Sequence, residues 1–100
     1  MIKHIVMWKL KEEAEGNTKE ANAIKMKELL ENLKDKIAEL KEIEVGINNN
    51  PKNEYDILLY SEVDTMEDLE KYQTHPEHVK VGVFVKAVVE KRTCVDYEII

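Results

Sequence analysis

Val79-Lys80-Val81-Gly82-Val83-Phe84-Val85-Lys86-Ala87-Val88-Val89 is the stretch on which the fold turns. Val79, Val81, Val83 and Val85 alternate strictly and are β-branched, which is a strand pattern. A helix accommodates the same residues. Pro76 suits a first helical turn, and Val81, Phe84 or Val85, and Val88 then share one face. Taken alone the stretch supports both readings, so its neighbours have to decide.

Upstream, Asp64 and Glu67, or Thr65 and Asp68, stand in capping-box relation and predict a short helix with Met66, Leu69 and Tyr72 on one face. Thr74-His75-Pro76 ends it, because the residue before a proline is pushed away from helical angles. Downstream, Arg92 to Ile99 reads as a final strand. Thr93, Val95 and Tyr97 share one face, and Arg92, Cys94 and Asp96 alternate towards the other.

The front of the chain is easier. Met1 to Leu10 is a strand with Ile2, His4, Val6, Trp8 and Leu10 facing inward and Lys3, Ile5, Met7 and Lys9 on the opposite side. Lys11 to Asn17 is a charged connection, and either Asn17 or Thr18 caps a helix running to about Leu40. Its apolar stripe is Ile24, Met26, Leu29, Leu30, Leu33, Ile37 and Leu40, and its charged residues predict a solvated face. Ile43 to Asn48 alternates as a second strand, Asn48 to Asn53 is turn chemistry, and Tyr55 to Val63 is a third strand apolar on both faces. A single domain over residues 1–100 follows, of the α+β class. Its ferredoxin-like β-α-β-β-α-β order puts the helices on one face of an antiparallel sheet.

That layout leaves the second sheet face bare, with Ile5, Met7, Leu58, Tyr60, Val95 and Tyr97 on it. An apolar patch of this kind predicts a partner, most economically a second copy of the chain related by a two-fold axis. Composition narrows the partners further. Fifteen basic and 21 acidic residues give a net charge of -6, which argues against a nucleic-acid phosphate backbone. No apolar run approaches the ~18–20 residues of a membrane span. The lone Cys94, within an apolar strand, predicts a packed thiol without a disulfide, and with no leader pattern visible the expected location is cytoplasmic. Three glycines, none in a phosphate-binding loop, predict no organic cofactor. His75, Glu77 and His78 with His4 lack a metal-site spacing, so no metal is expected either.

Two imidazoles and a phenol crowd into Tyr72-Gln73-Thr74-His75-Pro76-Glu77-His78. Histidine alone titrates near neutrality without perturbation, so this block is the candidate site. A histidine beside a phenol can take a proton alpha to a carbonyl while the phenol hydrogen-bonds the enolate, a contribution of ~10²–10⁴-fold in rate. The bland alternative has His75 capping the next helix, with Tyr72 and His78 bonded to backbone.

Lys3-His4-Ile5-Val6, Glu44-Val45-Gly46, Tyr55-Asp56, the block from Leu69 to His78 and Val95-Asp96-Tyr97 together resemble the stress-responsive dimeric α/β-barrel (Dabb) family along the whole chain. The resemblance implies a helix for the valine-rich segment and a homodimer whose two sheets close into one barrel. It also implies, from the small plant polyketide cyclases in the family, acid–base roles for Tyr72 and His78 and a pocket-lining role for His4. Val6, Trp8, Leu59, His75 and Val81 complete the expected substrate-binding set. Gln73, Thr74 and the Arg92–Cys94–Asp96 edge depart from the apolar pattern of a cyclase pocket. Two functions therefore stand side by side. One is a small-molecule site with lyase or cyclase chemistry on a carbonyl compound, and the other is a non-catalytic dimeric stress-response protein.

Overall fold

The computed structural model describes all 100 residues. The chain runs β1 (Ile2–Leu10), a small ribbon of β2 (Glu13–Ala14) and β3 (Asn17–Thr18), then α1 (Lys19–Glu31) and a 3-10 turn over Asn32–Asp35. It continues through β4 (Glu42–Ile47), β5 (Ile57–Val63), α2 (Met66–Thr74), α3 (Pro76–Val88) and β6 (Val89–Glu98). The main sheet has the order β4-β5-β1-β6, and every neighbouring pair is antiparallel. This is the expected ferredoxin-like arrangement.

The valine-rich stretch is helical, although local propensity leans to strand. His75 Nδ1 accepts from the Glu77 amide (3.1 Å), Pro76 occupies the first turn, and β6 begins at Val89 where the helix stops. Valine costs up to ~0.7 kcal/mol in a helix relative to alanine, a few kcal/mol over the stretch. Burying Val81 and Val88, with Phe84 and Val85 packed against the core, returns ~1.5–3 kcal/mol for each fully buried side chain. Packing wins. Val79 and Val83 remain exposed, which is the part of the strand-like pattern that the helix leaves without a use.

Strand β1 alternates as expected. Ile2, His4, Val6, Trp8 and Leu10 are buried beneath the helices, while Lys3, Ile5, Met7 and Lys9 are half-buried on the open face. In β5, Ile57, Leu59, Ser61 and Val63 are buried, and Leu58 and Tyr60 turn to the open face. The register sets Ile5 between Tyr60 and Val95, and Met7 between Leu58 and Thr93. The predicted apolar patch is thus assembled on one uncovered surface.

Five details differ from the sequence reading. Helix α1 is shorter: Thr18 caps it by accepting from the Ala21 amide (3.2 Å), and Leu33, Ile37 and Leu40 reach the core from the turns that follow. The Lys11–Asn17 connection contains a tight hairpin, with Glu15 and Gly16 both at positive φ (51° and 75°), a conformation glycine adopts freely. Ile24 and Met66, assigned to buried stripes, are exposed; Asn22 and Ala23 are buried on α1 instead. Cys94 is exposed, because the helical layer does not cover the edge strand β6. The charged face of α1 is also not wholly solvated. Glu31 accepts from Lys27 (2.9 Å) and from the Val45 amide (3.1 Å), which ties the helix to β4.

Candidate functional site

Two elements bring the chemistry together from one side. Thr65 caps α2 by accepting from the Asp68 amide (3.0 Å), and Tyr72 lies in the last turn of that helix, 1% exposed. His75 is at once the end of α2 and the cap of α3, with an extended backbone (φ -60°, ψ 136°). This break turns the chain so that His78, in the first turn of α3, folds back onto Tyr72. The two rings meet edge-on with centroids 4.8 Å apart.

The sheet supplies the other side. His4 is buried on β1, edge-on to Tyr72 at 6.3 Å. Its Nδ1 is hydrogen-bonded to Asp96 of β6, the residue directly opposite in register. Cys94, two residues along the same face, has Sγ 3.8 Å from that nitrogen. Ser61, opposite His4 on the other flank, donates to the His4 carbonyl oxygen (3.4 Å). Tyr72 is therefore held between two imidazoles, yet its buried hydroxyl has no hydrogen-bond partner.

The environment shifts the two titratable side chains in different ways. Burial pushes the Tyr72 phenol well above its ordinary range, so it stays protonated and can only give a hydrogen bond. Burial also pulls His78 below the usual imidazole value, with the Gln73 main chain opposing and His4, Arg92 and His75 adding to the fall. At neutral pH His78 is therefore a neutral acceptor. Cys94 is raised by partial burial and then by Asp96, with Arg92 opposing, so its thiol is not activated as a nucleophile.

The remaining predicted residues divide. Val6, Trp8, Leu59 and Val81 lie on the helix side with His4, but they are packed into the core, where Phe84 also leans. His75 acts as the helix cap, and its Nδ1 is occupied by the Glu77 amide. A roomier hollow of about 730 Å³ lies elsewhere, against Gly46, Ile47, Asn48, Tyr55, Met7 and Leu58. It has no histidine, and Met7 and Leu58 belong to the open sheet face, so it lies apart from the Tyr72–His78 cluster. Sequence reasoning did not find the partnership of Asp96 with His4. The signal was present in the alternation of Arg92, Cys94 and Asp96 towards the helices, but the register that sets Asp96 against His4 appears only in the fold.

The family model described as Stress responsive A/B Barrel Domain matches residues 2–99.

The chain belongs to this Dabb family.

A similar chain is seen in a crystal structure from Bacteroides fragilis NCTC 9343, described as a dimeric protein of unknown function with a ferredoxin-like fold. It is 42% identical with a TM-score of 0.87, over 98% of this chain and 95% of that one. More distant structures share the fold alone. One from Arabidopsis thaliana is 21% identical (TM-score 0.82, 100% of this chain and 96% of that one). The hydroxynitrile lyase of Passiflora edulis is 17% identical (TM-score 0.79, 96% of this chain and 90% of that one). A comparison with curated proteins gives no match. No helix of this Dabb protein is long and apolar enough to cross a membrane.

Proposed function

We propose that this Dabb protein is a homodimer, joined through its open sheet faces, that binds a small carbonyl compound beside Tyr72 and His78 and moves a proton on it. The observation that carries this reading is the Tyr72 hydroxyl, buried between two imidazoles with nothing to bond. Native proteins rarely leave such a group orphaned, and a ligand oxygen is the partner that would satisfy it. Neutral His78 takes the proton alpha to the carbonyl, and the protonated phenol of Tyr72 donates to the developing enolate oxygen. Asp96 holds the His4 ring in place. The dimeric description of the Bacteroides fragilis relative and the bare face of Ile5, Leu58, Tyr60 and Val95 support the assembly.

Exchange of alpha protons for deuterium in simple β-dicarbonyl and α-keto compounds, followed by NMR, tests the chemistry without knowledge of the natural substrate. Wild type should accelerate exchange, His78→Ala should lose most of the acceleration, and Tyr72→Phe should lose part of it. Equal rates in wild type and His78→Ala would refute it. One observation favours a second reading, a non-catalytic dimer: Trp8 and Phe84 pack into the space between sheet and helices. Under that reading no variant differs from wild type in exchange.

A further inference from the structure

The donor atoms of His4, Cys94 and Asp96 converge on one point, all within 4.8 Å of one another. Sγ of Cys94 stands 3.8 Å from His4 Nδ1 and 3.9 Å and 4.0 Å from the two Asp96 oxygens, and Asp96 Oδ1 meets the same ring nitrogen. A thiol, an imidazole and a carboxylate are also the parts of a nucleophile relay, but the geometry separates the two cases. In a relay the imidazole stands between its partners and serves each with a different nitrogen. Here both partners face Nδ1, so no ring nitrogen is left aimed at the thiol once the carboxylate is bonded. Convergence of one nitrogen, one sulfur and one oxygen is instead the arrangement a cation needs.

The spacing agrees with that use. Zinc–ligand bonds of ~2.0–2.3 Å at tetrahedral angles place sulfur about 3.6 Å from its nitrogen and oxygen neighbours. The Cys94 distances are already within a few tenths of an ångström of this. The Asp96 carboxylate must draw back from the ring, which a side chain on the exposed edge strand is free to do. The scaffold is rigid where it matters: His4 and Asp96 are opposite one another in the β1–β6 register, and Cys94 is two residues along on the same face. Ligand chemistry narrows the ion. Thiolate with imidazole selects zinc and its neighbours over magnesium or calcium. Arg92, next along this face, is exposed but lies close enough to act on the Cys94 thiol, so a bound cation has to displace its guanidinium.

We propose that His4 Nδ1, Cys94 Sγ and the Asp96 carboxylate bind one zinc-class divalent cation per chain, with a fourth position open to solvent. Neither Tyr72 nor His78 is a ligand, although the site shares His4 and Asp96 with the centre beside Tyr72. The ligands are separated by as many as 92 positions, which is why no spacing motif announces them.

Cobalt(II) is the probe, titrated into reduced, metal-free full-length protein and followed by absorbance. One equivalent should bind, with a thiolate-to-cobalt charge-transfer band and visible bands of tetrahedral strength. Cys94→Ser should abolish the charge-transfer band. Asp96→Asn should weaken binding by more than the ~10–100-fold typical of losing an outer-shell partner. Both positions are exposed, and circular dichroism confirms that each variant is folded. His78→Ala and Tyr72→Phe should leave band and affinity unchanged. The proposal is overturned if wild type shows no saturable binding or no thiolate band. It is equally overturned if Asp96→Asn binds as tightly as wild type, or if binding is lost in His78→Ala.

Discussion

Tyr72→Phe removes one oxygen atom, and the structure assigns that atom opposite values for stability and for chemistry. The hydroxyl is buried without a partner, in a side chain 1% exposed. Burying a hydroxyl uncompensated costs ~1–3 kcal/mol on the scale of protein mutational data. Phenylalanine keeps the ring, and with it the edge-on contacts to His4 and His78. The variant should therefore be more stable than wild type by about 1–3 kcal/mol. For a domain of this size, each kcal/mol moves Tm by ~4–8 °C. Thermal unfolding at matched protomer concentration reads the gain directly, since the proposed dimerisation would make Tm depend on concentration. The same variant should slow alpha-proton exchange. A fall in Tm would show that the hydroxyl is bonded in the native protein, and the argument from an orphaned donor would fail with it.

Three further outcomes follow from other residues. His78 has its pKa lowered on folding, so its buried neutral form contributes stability that is complete above the unfolded value of about 6.5 and is lost as pH falls through the folded value. His78→Gln should flatten that part of the stability profile measured by urea unfolding between pH 7 and 5, and a parallel profile would contradict it. Tyr60→Lys sets a second cation beside Lys3, whose Nζ lies 5.5 Å from the Tyr60 ring on the open face, and should shift sedimentation at micromolar concentration towards monomer. His75→Ala deletes the cap of α3 and should cost on the order of 1 kcal/mol. Its exchange activity, per folded molecule, should stay close to wild type.

Much of the fold was legible because binary pattern and topology agree. The period-two burial of β1 and β5 and the open apolar face were readable residue by residue. The valine stretch was not, because its local propensity and its tertiary role conflict, and only the packing of Val81 and Val88 decides between them. Cys94 was misjudged for a related reason. Its neighbours Thr93 and Val95 look like a core strand, but an edge strand beyond the helical layer buries neither face completely. At the site, Tyr72 and His78 were visible as neighbours in sequence. Asp96 was not, since its meeting with His4 depends on the long-range register of β1 against β6.

The pairing of His4 with Asp96 spans 92 positions, whereas Tyr72 and His78 meet across a single helix break. The two halves of the centre consequently differ in how they are won during folding. The helical half closes a short loop and can form as soon as α2 and α3 dock. The sheet half waits for nearly the entire chain to be drawn together, and the entropy of that closure is met only when β1 and β6 zip along their length. Completion of the centre thus depends on β6 pairing with β1 along its length.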